Sequence, residues 1–409
     1  MHIAYLIPTI DRIGGAERQL LLLATGMAER GWHVTVITLH GNGGSAADQL
    51  SASNVSFLSL DMNSGLRDPN GWNTLRRWLT SAQPEIVHAH LAQATLLARG
   101  IRMLAPIRVL IDTIHSPATG SSFRQSAYLL TSRIPDCVTA VSDAAARPWL
   151  DARIVDKATT AVIPNGIDTQ RLGSQRFARP LSPMTPQLQD CFRWLAVGRL
   201  DPVKDYATML RAFAMLPPSN RLSICGSGPL EADLRSLAAR LNIQDRIAFL
   251  GFQSDVCRLM KNHDAFVLSS RWEGLPLALL EASACGLPAV FTQIDGCREV
   301  LPDSALPTAP VGDAEALASA MKALISLPES ARAELGEKAR KQVVGRFDLH
   351  SVLDRYETLY CDLLAKNPNP RRFRRNADTP CRRSGEDPTV PTPQTRAGDP
   401  DPLQLGTLD

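Results

Sequence analysis

Short apolar runs alternate with longer amphipathic stretches along most of the chain. In the first half the apolar runs fall at residues 2–7, 33–39, 55–60, 85–89, 107–114, 137–141 and 161–163. Helical stretches lie between them, such as 16–30, 72–81 and 92–104, and in the last of these Leu96, Leu97, Ile101 and Leu104 recur at helical spacing. Apolar runs that do not alternate with polar residues suit strands covered on both faces, as in a parallel sheet. Strand and helix in alternation imply right-handed crossovers and a doubly wound α/β domain.

After Pro164-Asn165-Gly166 the pattern weakens, and residues 171–190 hold prolines and little periodicity. A second series follows, with runs at 194–197, 221–225, 247–250, 265–268 and 288–291 and helices at 206–216, 230–241 and 277–285. Further helices are expected near 313–326, 330–345 and 350–364. The organisation predicted is a first doubly wound domain over 1–165, a connector over 166–192, a second such domain over 193–345, a closing helix over 346–365 and a tail over 366–409. The tail is rich in Pro, Arg, Asp, Thr and Gly. With so few apolar residues it cannot offset its ordering entropy, so disorder is expected there.

Composition narrows the function classes. The chain has 409 residues with 44% hydrophobic and 21% charged positions, enough for two packed cores. A formal net charge of only +3 argues against nucleic acid as a partner. The start lacks the basic region of a secretory signal, and no run approaches the ~18 apolar residues of a spanning helix. A cytoplasmic protein, soluble or peripheral on the inner face of the membrane, is expected. The eight cysteines form no CxxC and have no adjacent His cluster, so reduced buried thiols are expected rather than a zinc site or a disulfide frame.

Four segments carry candidate chemistry, each between a predicted strand and a helix. Gly14-Gly15-Ala16-Glu17-Arg18 opens the first helix, and its glycines allow close approach of a phosphate to a helix N-terminus. In Gly198-Arg199-Leu200-Asp201-Pro202-Val203-Lys204, two cations follow the end of a strand, where ligands of doubly wound sheets bind. Arg199 can fork onto phosphate oxygens and Lys204 can add a point charge. Gly226-Ser227-Gly228-Pro229 permits another close backbone approach; Glu231 stands where a dinucleotide fingerprint has its last glycine. The most specific segment runs from Ser269 through Glu273-Gly274-Leu275-Pro276 to Glu281 and Gly286-Leu287-Pro288. Glu281 lies among apolar neighbours and needs a partner there; the two hydroxyls of a ribose are one. Glu273, in the loop before the helix, would then lie near a second sugar. Were all eight steps helical, the two acids would stand ~12 Å apart.

Taken together, these segments resemble the fourth family of retaining glycosyltransferases, whose fold is GT-B: two Rossmann-like domains facing across a cleft, with the last helix crossing back to the first domain. The resemblance covers roughly residues 1–365 and includes Ile163-Pro164-Asn165-Gly166-Ile167-Asp168 at the hinge. It implies transfer of a sugar from a nucleoside diphosphate sugar, a UDP-sugar by family frequency, to a hydroxyl of a glycan or lipid-linked acceptor. Cell-envelope polysaccharide or glycolipid assembly is the implied setting. Arg199 and Lys204 would bind the donor diphosphate, Glu281 the ribose, and Glu273 with Gly274 and Leu275 the donor sugar. Gly14 and Gly15 would approach the phosphate from the opposite domain, and Gly226 and Gly228 would line the donor side. His115 matches a family histidine near the departing phosphate. The implied catalytic set is thus His115, Arg199, Lys204 and Glu273, with no metal and no cofactor beyond the donor.

One departure is Gly296-Cys297, where many relatives have two glycines, which puts that loop's sugar contacts in question. His88 and His90 end a strand and could line the acceptor side. Trp72, Trp78, Arg76 and Arg77, with Arg99, Arg102 and Arg108, could rest on an anionic membrane. Two other readings share the fold. A non-hydrolysing sugar-nucleotide epimerase would convert donor without an acceptor. A catalytically silent sugar-nucleotide-binding protein would bind donor without transfer.

Overall fold

The computed structural model describes residues 1–11, 13–173, 191–253, 255–302 and 305–368. The seven apolar runs of the first half form one all-parallel sheet: β1 (His2–Ile7), β2 (His33–Thr38), β3 (Ser56–Ser59), β4 (Ile86–His90), β5 (Val109–Ile114), β6 (Cys137–Ala140) and β7 (Thr160–Val162). Their order is β3-β2-β1-β4-β5-β6-β7, so the order reverses beside β1 and a crevice opens at the carboxyl ends of β1 and β4. All six residues of β1 and all five of β4 are buried, as strands covered on both faces must be.

The second half repeats the plan. Its strands are β8 (Phe192–Val197), β9 (Asn220–Cys225), β10 (Ile247–Gly251), β11 (Ala265–Leu268), β12 (Ala289–Thr292) and the two-residue β13 (Thr308–Ala309). Their order is β10-β9-β8-β11-β12-β13, again parallel, with the reversal beside β8. Only β13 was absent from the hydrophobic pattern, because two residues are too short to make one.

The last helix, Leu349–Lys366, returns to the first lobe. Leu353 lies so close to the helix Gly15–Glu29 that a Cβ on Gly26 would stand 2.4 Å from it. Tyr360 hydrogen-bonds Tyr5 at 3.2 Å, Arg30 pairs with Glu357 at 2.8 Å, and Trp32 Nε1 donates to Glu357 at 3.0 Å. At the hinge Gln19 exchanges two 2.9 Å hydrogen bonds with the backbone of Gly166. The first lobe and the crossover helix therefore share one core.

Of the connector, residues 174–190 lie outside the described set; the described part includes the short helix Thr169–Gly173. The predicted tail is outside it from residue 369. Six cysteines are free thiols (Cys137, Cys191, Cys225, Cys257, Cys285 and Cys297), but Cys361, on the half-buried flank of the last helix, is disulfide-bonded, which corrects the expectation at that position. Among the described residues no helix is long and apolar enough to cross a membrane.

Of the basic residues read as a membrane face, Arg76 and Arg77 are exposed, but the other three are not free for it. Arg99 is fully buried and paired with Asp112 at 2.8 Å; Arg102 forks onto Asp136 and the carbonyl of Ile134. Arg108 donates to the carbonyls of Leu364 and Asn367. Trp72 is half-buried, with its indole N–H on the Leu66 carbonyl. These arginines tie elements of the first lobe together instead of presenting charge to a surface.

Candidate functional site

The cleft is assembled from loops at the carboxyl ends of both sheets. After β8, the backbone passes through Gly198 at φ +155°, and Tyr206 fixes the turn by donating its hydroxyl to the Gly198 carbonyl at 3.1 Å. Asp201 then caps a short turn, accepting from the amides of Val203 and Lys204 at 3.1 and 3.3 Å, and takes Arg199 Nε at 2.8 Å. Ser269 Oγ donates to the carbonyls of Lys204 and Asp205, and the Arg271 amide donates to Val203. The loops after β8 and β11 are thereby stitched together.

That stitching brings Lys204 onto Glu273. The ammonium and carboxylate are in direct contact, and the same Glu273 oxygen accepts Ser270 Oγ at 2.7 Å. Both side chains are mostly covered, whereas Arg199 is 75% exposed. The two cations predicted to meet a diphosphate thus stand on one loop with different freedom: Lys204 is anchored and Arg199 can swing.

Glu281 sits on the helix Leu277–Ala284 and is buried. Its carboxyl is raised above the ordinary range by burial, against which Arg18 and Arg171 act to lower it. Arg18 comes from the first lobe and meets Glu281 at 2.6 Å. That helix starts at Leu277, so the segment from Glu273 to Pro276 is a loop and the eight steps between the acids are not all helical. Gly15, at the start of the first lobe's first helix, lies opposite: a Cβ on it would be 3.2 Å from Leu277. Gly14 is held by Glu17, whose carboxylate accepts its amide at 3.0 Å. Burial raises the Glu17 carboxyl, while Arg199 acts to lower it, which puts Arg199 within electrostatic reach of this first-lobe loop.

The remaining predicted residues fall around this centre. Gly274 abuts His115: a Cβ there would be 2.4 Å from the His115 carbonyl, and Ser142 Oγ donates to the Gly274 carbonyl at 2.6 Å. Leu275 points into a core cluster beside this loop. His115 Nε2 is 3.0 Å from His90 Nδ1, and burial lowers His115 to about 4, so it is a neutral imidazole near pH 7. Gly226 and Gly228 serve the Arg199 loop itself. A Cβ on Gly226, at φ +144°, would stand 2.0 Å from the Gly198 carbonyl, and one on Gly228 would stand 2.4 Å from that of Leu200. Their visible work is to let two loops touch, so the structure joins them to the site through Arg199.

His88 does not line a surface, whereas His90 lines a small cavity with His115, Gln19 and Asn165. His88 is bonded to Tyr360 Oη at 2.8 Å and Thr113 Oγ1 at 2.6 Å within the core, and burial lowers it to about 3. Cys297, the departure from two glycines, is fully buried behind the Lys204–Glu273 pair, whose charges both act on its thiol. Gly296 keeps the essential contact, since a Cβ there would be 2.6 Å from the Glu273 carbonyl. Among the described residues no group of three or more His, Cys, Asp or Glu could hold a metal ion.

Sequence reading missed three participants. Arg18 was visible in the glycine loop but had no assigned partner. Glu299 reaches from the second lobe to cap the first-lobe helix Asp143–Asp151, accepting the amides of Asp143, at 3.0 Å, and Ala144. Ser142 is the N-cap of that helix, accepting from the Ala145 amide at 2.9 Å, a signal legible in Ser142-Asp143.

Comparison with known proteins agrees with this geometry. Residues 13–171 match the family described as Glycosyltransferase Family 4, and residues 189–342 match Glycosyl transferases group 1. A UDP-Gal:alpha-D-GlcNAc-diphosphoundecaprenol alpha-1,3-galactosyltransferase of Escherichia coli is 26% identical over 314 residues, 73% of this chain and 81% of that protein. The lipopolysaccharide core biosynthesis glycosyltransferase LpsE of Rhizobium meliloti is 28% identical over 363 residues, 87% of this chain and 97% of LpsE. Among solved structures, HepE of Anabaena in complex with UDP and glucose superposes with a TM-score of 0.76 at 22% identity, over 88% of this chain and 99% of HepE. WaaG, described as a glycosyltransferase involved in lipopolysaccharide biosynthesis, gives 0.66 at 17% identity, over 87% of this chain and 98% of WaaG. These likenesses establish the two-lobed GT-B fold.

Proposed function

The chain belongs to the family 4, group 1 glycosyltransferases and is a sugar-transferring enzyme with a nucleotide-sugar donor and a glycan or lipid-linked acceptor, and from that premise we propose how its cleft performs the transfer. Lys204 and Arg199 bind the donor diphosphate, Glu281 accepts the ribose hydroxyls, and Glu273 with the Gly274-Leu275 loop holds the donor sugar. The supporting observation is that the two acids of one loop-and-helix segment each hold a cation, Glu273 taking Lys204 and Glu281 taking Arg18 of the opposite lobe. The donor is read as a UDP-sugar, because the galactosyltransferase relative is named for UDP-Gal and HepE was solved with UDP.

The reaction is read as retaining. The acceptor hydroxyl attacks the anomeric carbon from the face that the diphosphate leaves, and the departing phosphate takes the hydroxyl proton. Catalysis then lies in orientation and in stabilising the charge that grows on the phosphate. Lys204, on a loop held by Asp201 and Ser269, supplies a point charge there. The neutral His115, beside Gly274, can hydrogen-bond to the donor sugar without adding charge. In this reading the side-chain cations supply the positive potential, and no metal cofactor takes part.

The acceptor's lipid would come from a membrane, and the exposed surface of the first lobe supplies a face for it. In the helix Ser122–Leu130, Phe123 is 84% and Leu130 86% exposed, with Leu129 beside them. Arg124 and Arg133 are exposed on the same segment, which holds no acid between Thr113 and Pro135. Exposed aromatic and aliphatic side chains flanked by arginines suit an anionic bilayer.

A thermal-shift screen of nucleoside diphosphate sugars, followed by product analysis with lipid-linked acceptors, tests the reading. One UDP-sugar should raise the melting temperature and be consumed only when acceptor is present. Conversion of donor without acceptor would instead identify an epimerase. For the membrane face, flotation with anionic liposomes should be lost in the Phe123→Ser, Leu130→Ser double variant.

A further inference from the structure

Three cations at the cleft are each paired with a carboxylate. Lys204 is on Glu273, Arg199 is on Asp201, and Arg18 is on Glu281. To bind any of these three, a diphosphate must take it from a carboxylate. The three pairs differ in how easily they part. Lys204 and Glu273 lie on stitched loops of one lobe, and both are mostly covered. Arg199 and Asp201 are near neighbours in sequence. The Arg18–Glu281 pair alone spans the two lobes, and it is lopsided: the arginine is 40% exposed and the carboxylate 7%.

We infer that Arg18 is a donor-binding residue that changes partner, lying on Glu281 in the empty cleft and on the donor diphosphate in the loaded one. This rests on the reading of Glu281 as the ribose acceptor given above. When the ribose hydroxyls donate to Glu281, that carboxylate keeps its hydrogen bonds and no longer needs the guanidinium. The released Arg18 is beside the ribose and hence next to the first phosphate. A diphosphate carries more charge than one carboxylate and accepts the two-pronged geometry of a guanidinium. The long side chain is exposed enough to turn without unpacking a core.

The placement of Arg18 supports the exchange. It is in the first turn of the helix Gly15–Glu29, directly after Glu17, which feels the field of Arg199. The Arg18 and Arg199 loops therefore approach the same space from opposite lobes. Gly15 faces Leu277 at the start of the helix that carries Glu281, so the first-lobe loop is already against the second lobe. The Arg18–Glu281 pair, with the field of Arg171, compensates a buried acid. In the loaded protein the same arginine clamps the donor from the first lobe. Donor release then requires the lobes to part or Arg18 to return to Glu281.

Calorimetric titration of wild type, Arg18→Met and Arg18→Lys with uridine and with UDP tests the exchange. A bond from a cation to phosphate contributes to UDP and not to uridine. The ratio of UDP to uridine affinity should fall roughly 10- to 100-fold in Arg18→Met and recover most of that in Arg18→Lys. Uridine affinity itself should not weaken in Arg18→Met, because its ribose needs only Glu281. An unchanged ratio, or equal weakening toward both ligands, would overturn the proposal and leave Arg18 as a strut between the lobes. Lys204→Ala run alongside separates this from the wider reading. If that variant loses UDP affinity while Arg18→Met does not, the donor site stands and the Arg18 exchange falls. If Lys204→Ala also binds UDP normally, the donor site itself is misplaced, and the Arg18 exchange falls with it.

Discussion

The two lobes have the same layered plan but spend their polar residues in opposite ways. At the carboxyl ends of its sheet, the second lobe places charge: Arg199, Lys204, Glu273 and Glu281, all at or near the cleft. At the corresponding ends of its own sheet, the first lobe places neutral groups. His88, His90 and His115 form a linked row with Thr113 and Tyr360, and burial lowers all three histidines. Its buried ion pair of Arg99 with Asp112 lies in the core. In the reading proposed above, the charged second lobe holds the departing diphosphate. The other keeps His88 and His90 neutral and buried behind the cleft and meets the second lobe's acids through Arg18, on Glu281, and Arg147, on Asp295.

This contrast breaks most visibly at Lys204. Lys204→Ala should cut turnover about 10²- to 10³-fold, the cost of losing one preorganised charge-stabilising donor. Steady-state kinetics with the best donor would check it, and the melting temperature should move little. Arg99→Leu is the opposite case. Leaving Asp112 buried without its partner should cost about 3–5 kcal/mol of stability, read by denaturant unfolding, while the folded fraction keeps its donor affinity.

Gly226→Ala sharpens the picture of the charged lobe. Its backbone lies at φ +144° and its Cβ would meet the Gly198 carbonyl at 2.0 Å. The expected loss is about 1–3 kcal/mol, with weakened donor binding because the Arg199 loop must shift. Glu299→Gln weakens the cap that the second lobe gives the first. About 1 kcal/mol of stability should go, seen as a small drop in melting temperature that donor binding partly restores.

The smallest effect is a pH slope. Burial pushes His88 to about 3 and His115 to about 4, both below the ~6.5 of an exposed imidazole. The unfolded chain therefore binds protons that the folded chain refuses. The stability these groups contribute is full above about pH 6.5 and is lost as pH falls toward 4. Asp112, raised to about 6 by burial, acts the other way: its contribution is full below ~3.9 and lost as pH rises through 6. The histidine part is isolated by difference. Relative to wild type, His88→Gln should show a smaller fall in melting temperature between about pH 7 and pH 5; an identical fall would remove His88 from the account.

Much of this was legible in the sequence. The parallel sheets follow from runs such as 33–39 and 265–268, whose unbroken hydrophobicity has few other solutions. Lys204 and Glu281 were legible because loops at strand ends and a lone acid in an apolar helix need a reason. Pairing across the cleft was not. Arg18 and Glu281 are far apart in sequence, and no local pattern says that two lobes will close on each other. Arg99, Arg102 and Arg108 looked like a basic surface because sequence shows charge but not the acids and carbonyls that meet it. Conversely, Phe123 and Leu130 carried no visible mark, since exposure is a property of the packed lobe.

The central claim concerns where the anion goes. A crystal structure with bound UDP-sugar tests it most directly. The account predicts the diphosphate against Lys204 and Arg199, the ribose on Glu281, and Arg18 turned from that acid to a phosphate oxygen. A donor found outside the cleft, with the Lys204–Glu273 and Arg18–Glu281 pairs undisturbed, would contradict it.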